Sequence, residues 1–175
     1  AVAIRKNPGT MSKLKEIVMM GGAIRVPGNK NRVAEFNIFV DPDAADIIFR
    51  FPVKKTLVPL DACNHAKLQL GDFERITGSL KAPVIAMMTP YIRNIEKDAG
   101  VSTALMYDPL TIYSIMNPSA CIKGEYNVMV ETKGELTRGM TVADMRKIIP
   151  APNITVVESI FEEEFRKDFI RILSG

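Results

Sequence analysis

Short apolar runs recur along this chain with helix signals between them, and this alternation restricts the fold more than any other feature. The runs are Ile17–Met20, the stretch around Phe36–Val40, and the segments KKTLVPLDA and NITVVES. Asp41-Pro42 is a typical helix start, because aspartate caps the first amides and proline fits the first turn. Apolar strands that alternate with helices indicate an α/β fold with a largely parallel sheet flanked by helices.

The period changes to strict alternation in the segment EYNVMVETKGELTRGMTV. This pattern predicts an added antiparallel hairpin that turns at Lys133-Gly134. Farther on, Ser159 and Glu162 have the spacing of a capping box, which predicts the start of the last helix. Because no internal repeat or low-complexity linker interrupts the chain, residues 1–175 are expected to form a single domain.

Composition narrows the class of protein. The chain is 47% hydrophobic and 25% charged, with a formal net charge of +3. Its basic residues are scattered, so nucleic acid is not an expected partner. No apolar run reaches the ~20 residues of a membrane span, so no membrane interaction is expected either. Cys63 and Cys121 lie far apart in no metal-binding spacing, which favours free thiols and a cytoplasmic location.

Polar residues cluster where predicted strands end. Asn29 lies in the loop after the first strand, Glu35 and Asn37 lie in the next apolar run, and Asp108 follows another. Ligands of an open parallel sheet bind beyond the carboxyl ends of its strands. If residues 34–40 form a strand, the side chains of Glu35 and Asn37 point to the same side. A carboxylate beside a carboxamide suits a ligand with several hydroxyl groups.

Each of these residues also has a purely structural interpretation. Glu35 and Asn37 could face solvent on an edge strand, and periodicity alone leaves both interpretations open. Asp108 precedes a proline, so a helix-cap role competes with a ligand role. Tyr91 and Tyr107 fit core or boundary positions as well as ligand contacts.

One long segment adds a resemblance. VMMGGAIRVPGNKNRVAEFNIFVDPDAADIIF is similar to the central signature of the inosine-uridine preferring nucleoside hydrolases, with its Met-Gly-Gly turn, Gly-Asn, Ala-Glu-Phe-Asn and Asp-Pro-Glu-Ala-Ala. The segments VPLDA, MYDPLTIYSIMNP and VETKGELTRGMTV follow in the family's order. The similarity extends to about Asp144.

The resemblance implies an activity and a cofactor. Enzymes of this family hydrolyse the N-glycosidic bond of ribonucleosides, giving ribose and free base, and hold calcium among aspartates. Carried over to this chain, Asn29, Glu35 and Asn37 would bind ribose, and Asp108 would be a calcium ligand. Tyr107 stands where the family has a histidine that helps the base to leave. Tyr91 would contact the base.

The family's first segment, Asp-x-Asp-Pro-Gly-x-Asp-Asp, has no counterpart in this sequence. By resemblance, the chain is therefore expected to be the C-terminal portion of a nucleoside hydrolase-like domain, inactive alone. Its expected partners are a ribonucleoside, a companion N-terminal fragment or further copies in a homo-oligomer. The alternative is a non-catalytic remnant that binds ribose-containing ligands or serves as an assembly partner.

Overall fold

The protein is described by a computed structural model in which residues 1–148 and 150–175 are defined. In this part of the chain the helices are α1 Val2–Lys6, α2 Pro8–Met11, α3 Phe36–Val40, α4 Pro42–Arg50, α5 Leu60–Cys63, α6 Leu70–Glu74, α7 Lys81–Ala99, α8 Tyr107–Met116 and α9 Glu162–Ser174. The strands are β1 Ile17–Met20, β2 Lys55–Val58, β3 Lys67–Gln69, β4 Thr103–Leu105, β5 Cys121–Tyr126, β6 Val128–Val130, β7 Thr141–Ala143 and β8 Ile154–Ile160. No helix among these is long and apolar enough to cross a membrane.

A four-stranded sheet in the order β1-β2-β8-β5 carries the first part of the fold. β1 and β2 are parallel, with Ile17 opposite Lys55, and β2 and β8 are parallel as well. β3–β4 and β6–β7 are antiparallel pairs. The predicted α/β class, a largely parallel sheet flanked by helices with an added antiparallel hairpin, is confirmed.

The residues group into two compact units, and the single-domain expectation stays a prediction. The first unit comprises Ala1–Ala62 and Cys121–Ser159, and the second comprises Cys63–Ala120 and Ile160–Gly175. In the first unit, Phe49 of α4 packs in a core with side chains from three strands: Leu57, Val128, Val130, Ile154 and Val156. α4 starts as predicted, because the Asp41 carboxylate accepts the Ala44 N–H at 2.9 Å.

The second unit is centred on aromatic contacts of its last helix. The Phe165 ring lies 5.1 Å from the Tyr113 ring and 5.7 Å from the Phe169 ring. The predicted capping box is wrong: Phe161 is the N-cap of α9 and makes no side-chain cap bond. Ser159 cannot cap this helix, because it is part of β8, which continues to Ile160.

Two further local predictions need correction. The run 36–40 is the short helix α3 instead of a strand, and Glu35 is its N-cap. Its apolar residues follow a helical pattern, with Ile38 buried while Phe36 and Phe39 are exposed. The hairpin β6–β7 exists, but residues 131–140 connect its strands, so Lys133-Gly134 is not a tight two-residue turn. The Glu131 carboxylate instead accepts the N–H groups of Lys133 and Gly134 within that loop.

Candidate functional site

The loop that leaves β1 folds back on itself before α3. The Lys30 N–H donates to the Ala34 carbonyl at 3.1 Å, and the Asn31 side chain accepts the N–H groups of Val33 and Ala34. Gly28 lies against the backbone of Ala34 so closely that any Cβ there would overlap its atoms. This position therefore requires glycine.

Glu35 holds this loop and α3 together. Its side chain is buried, with 2% of the residue exposed, and accepts three backbone N–H groups. Oε2 accepts from Gly22 at 3.0 Å and from Ile38 at 3.1 Å, and Oε1 accepts from Asn37 at 2.9 Å. A buried carboxylate needs such partners to offset its lost hydration. A carboxylate has about four acceptor positions, so one remains on Oε1.

The two carboxamides flank this carboxylate and lie on the surface. Asn29 Oδ1 accepts the Phe36 N–H at 2.9 Å. Asn37 Nδ2 lies 3.5 Å from the Met20 carbonyl at the carboxyl end of β1 and 3.1 Å from the Met20 sulfur. Within the described residues, Asn29 Nδ2 and Asn37 Oδ1 take part in no hydrogen bond. One donor and one acceptor are thus directed to solvent beside a buried anion, an arrangement suited to hydroxyl groups.

Two residues that the sequence did not assign also hold the loop. The Asp61 carboxylate accepts the N–H groups of Ile24 and Arg25, each at 2.8 Å. The Thr141 hydroxyl accepts the Ala23 N–H at 2.9 Å and donates to the Ala23 carbonyl at 2.7 Å. The role of Asp61 could have been predicted, because a carboxylate that follows one strand of a parallel sheet lies near the loop that follows the neighbouring strand. Thr141 lies more than a hundred residues from Ala23, and no sequence signal connects them.

Arg25 adds a surface cluster to the same loop. Its guanidinium donates to the Tyr126 hydroxyl at 2.7 Å and pairs with Glu158 at 3.3 Å. The hydrogen bond from Arg25 to Tyr126, followed by the contribution of Glu158, raises the pKa of the guanidinium. Arg25 therefore stays charged and ties the loop to β5 and β8.

The second unit holds the other predicted site residues. Tyr107 begins α8, and Asp108 follows it, exposed in the first turn. The cap interpretation of Asp108 is wrong, because Met106 is the N-cap of α8 and no side chain forms a cap bond. Tyr91 is 42% exposed in the middle of α7, directly after Pro90. The structure thus brings Asn29, Glu35 and Asn37 together in the first unit.

The carboxylates of this chain do not by themselves fit a calcium ion. Across the described residues, no group of three or more histidine, cysteine, aspartate or glutamate side chains could hold a metal. Calcium takes about 6–8 oxygen ligands, and Asp108 supplies at most two. Backbone N–H groups already occupy both oxygens of Asp61 and three of the about four acceptor positions of Glu35.

The fold and this site define a class: an α/β protein with polar groups at the carboxyl end of a parallel strand, the edge at which open parallel sheets bind their ligands. Comparison with known proteins makes the assignment specific. The family model described as inosine-uridine preferring nucleoside hydrolase matches residues 1–167. The chain therefore belongs to that family, and the resemblance of its central signature is confirmed.

Similar proteins agree with this family. The pyrimidine-specific ribonucleoside hydrolase RihA of Salmonella enteritidis PT4 is 34% identical over 170 residues, covering 94% of this chain and 54% of that protein. The purine-preferring ribonucleoside hydrolase from Gardnerella vaginalis matches with a TM-score of 0.90 and 29% identity, covering 99% of this chain and 56% of the other. A plant nucleoside hydrolase also gives a TM-score of 0.90, but at 23% identity it supports the fold alone.

The relatives are longer than this chain, and their names differ in the base of the substrate. The chain spans about half the length of the relatives it matches. One relative is named for pyrimidine nucleosides and another for purine nucleosides, so family membership does not select a base.

Proposed function

We propose that this chain provides the ribose-binding part of an enzyme that hydrolyses the N-glycosidic bond of ribonucleosides to ribose and free base. The observation that carries the proposal is the arrangement at the end of β1. There the buried Glu35 carboxylate fixes the loop and α3, while Asn29 and Asn37 turn one donor and one acceptor outward. Relatives named ribonucleoside hydrolases support it.

Each of the three residues has a distinct proposed role. Asn29 Nδ2 donates to a sugar hydroxyl, and Asn37 Oδ1 accepts from one. Glu35 uses its remaining acceptor position on Oε1 for a third hydroxyl, or acts through the loop and the helix α3 that it joins. As the glycosidic bond breaks, positive charge develops on the sugar ring, and a nearby fixed carboxylate favours that charge more than the neutral substrate.

The second unit contributes residues whose roles come from the family motif. We propose Asp108 as one carboxylate of a calcium site whose other ligands these described residues do not provide. Tyr107 occupies the position of the family histidine, and we assign it to hydrogen bonding or stacking with the leaving base. A phenol, with an ordinary pKa of about 10, is a weaker proton donor near neutral pH than histidine. Tyr91 is assigned to the base pocket.

Substrate range, assembly and location are part of the same proposal. We propose a cytoplasmic enzyme that acts on ribonucleosides and works as a homo-oligomer or with a companion N-terminal segment. Release of uracil from uridine and of hypoxanthine from inosine, measured side by side, decides the preferred base.

The test uses the natural full-length protein. Asn29→Ala and Asn37→Ala should each raise KM for the nucleoside by about tenfold, the usual effect of losing one hydrogen bond in a binding site. Asn94→Ala is the matched control for ribose binding, because Asn94 is an exposed carboxamide on α7 that is assigned no contact with the sugar. Unchanged kinetics in an Asn29→Ala, Asn37→Ala double variant would contradict the assigned roles.

A second candidate is a non-catalytic protein that binds ribose-containing ligands. It is favoured by the absence of a three-carboxylate metal group among the described residues. Calorimetry with ribose and an assay of base release together separate the two candidates. A non-catalytic remnant binds ribose without calcium and releases no base from any ribonucleoside. A protein that loses base release on chelation and regains it with calcium contradicts the remnant.

A further inference from the structure

Consecutive backbone amides of the β1 loop are each held by a buried side chain. The N–H groups of residues 22–25 donate in turn to Glu35, Thr141, Asp61 and Asp61 again. These three side chains come from distant parts of the sequence. A backbone stretch with every N–H fixed in this way cannot shift without breaking these hydrogen bonds, and the cost is greatest at Gly22 and Ala23, which are buried.

Asp61 accepts two of these four N–H groups. Both its carboxylate oxygens accept backbone N–H groups at 2.8 Å, and only 7% of the residue is exposed. A return bond runs from the Leu60 N–H to the Gly22 carbonyl at 2.9 Å. The segment after β2 and the segment after β1 are therefore joined in both directions.

Thr141 fixes the residue between Gly22 and Ile24. It is 1% exposed, and its hydroxyl both accepts from and donates to Ala23. Gly22 has φ +79°, and a Cβ on it would come within 3.0 Å of the Thr141 side chain. Gly22 in turn donates to Glu35, so the position of the Glu35 carboxylate depends on this contact.

We infer that Asp61 and Thr141 are positioning residues of the ribose-binding site. Neither touches the sugar. They act through the backbone of residues 22–25, which sets the place of the Glu35 carboxylate at one end and leads to Asn29 at the other. The inference rests on the proposed function, because Asn29 and Glu35 are assigned there to ribose.

The first test replaces one acceptor oxygen of Asp61 by an amide group and removes the charge, while the shape of the side chain is kept. In Asp61→Asn the amide NH₂ cannot accept, so one of the two backbone N–H groups loses its partner. Ribose affinity, measured by calorimetry on the full-length protein, should fall about tenfold, which corresponds to one hydrogen bond to a charged group. Affinity for the free base should not change. If Asp61 only supported folding, its substitution would lower the affinities for ribose and for the free base together.

The matched control is Asp72→Asn. The Asp72 carboxylate accepts the Gln69 N–H at 2.8 Å in the capping box of α6, so the same substitution removes the charge of a hydrogen-bonded carboxylate in the second unit. The control should leave ribose affinity unchanged. An equal loss in both variants would contradict the positioning role.

Thr141 provides a second variant pair that tests the same role if Asp61→Asn does not fold. Thr141→Val keeps the shape and removes the hydroxyl, whereas Thr141→Ser keeps the hydroxyl. Ribose affinity should fall in the valine variant by about tenfold and recover in the serine variant to within about threefold of the wild type. Equal affinity in the two variants would overturn the inference.

The outcomes of the two proposals are distinguishable. A wild-type protein that binds ribose but cleaves no ribonucleoside contradicts the proposed enzyme, and ribose binding still tests the positioning residues. An active wild type whose Asp61→Asn and Thr141→Val variants bind ribose normally contradicts the positioning role alone.

Discussion

The Glu35→Gln substitution tests the most consequential contact in the structure. The Glu35 carboxylate accepts three backbone N–H groups. A glutamine can keep its oxygen toward Gly22 and Ile38, but its NH₂ then faces the Asn37 N–H, donor against donor. One bond to a charged acceptor is lost, at about 1.5–3 kcal/mol, and the other two weaken as the charge disappears. The local loss is about 2–4 kcal/mol.

Amide hydrogen exchange measures this loss where it occurs. A cost of about 2–4 kcal/mol predicts roughly 30- to 700-fold faster exchange in peptides that cover residues 20–40. Glu131→Gln is the control, because Glu131 also accepts two backbone N–H groups, but in the loop 131–140. It should leave exchange in residues 20–40 unchanged. A Glu35→Gln protein whose exchange there rises less than about threefold would refute the reasoning.

Three further predictions concern single sites. Gly28→Ala should raise KM for the nucleoside and destabilise the fold, because the new Cβ would overlap the Ala34 backbone. Gly71→Ala, which has open space in α6, should stabilise the fold by about 0.5–1 kcal/mol. Urea unfolding compares the two variants, and a Gly28→Ala protein as stable as the wild type would contradict the close contact between Gly28 and Ala34. Burial, with the hydrogen bond to Asp168, raises the pKa of Tyr113 to about 12. The stability that Tyr113 contributes should therefore be fully present below about pH 10 and should decline as the pH rises to 12. In an ultraviolet titration the phenolate step at highest pH should disappear in Tyr113→Phe, and a wild-type titration that is complete by pH ~10.5 would contradict this. In the full-length protein, Asp108→Asn should raise the calcium concentration needed for half-maximal hydrolysis by at least about tenfold. The control is Asp98→Asn, at an exposed aspartate of α7 that is assigned no role, and it should leave that concentration unchanged. Equal calcium curves for the two variants would remove Asp108 from the proposed site.

Much of the sheet was predictable because local signals and tertiary context agree. The apolar run Ile17–Met20 is β1 at both predicted ends. β2 is buried at all four positions, as expected of a central parallel strand, although two of its residues, Lys55 and Thr56, are polar. The Asp41 cap needs only the next three residues, so sequence determines it. The capping box at Ser159 failed because β8 extends through that residue, and strand pairing outweighed a local cap signal.

The error at residues 34–40 has a different cause. Phe36–Val40 contains aromatic and branched residues, which favour a strand when only the local sequence is considered. The helix is favoured instead because Glu35 caps it, with two acceptor bonds to the first turn and a third to Gly22, thirteen residues earlier. Periodicity does not reveal a contact between residues so far apart in the sequence. The sequence therefore indicated the right residues but the wrong secondary structure.

This difference changes the chemistry expected of the motif. On a strand, Glu35 and Asn37 would be equivalent side chains on one face, both free for a ligand. At the start of a helix they are unequal: the carboxylate is mostly committed to the backbone, whereas Asn37 keeps an outward oxygen and Asn29 an outward amide. Removing the carboxamides should therefore weaken ligand binding and cost less stability than removing the carboxylate, because Asn29 accepts only one backbone N–H group. Removing the carboxylate should weaken both together, and a Glu35→Gln protein of normal stability and poor ribose affinity would show that direct sugar contact outweighs the structural role.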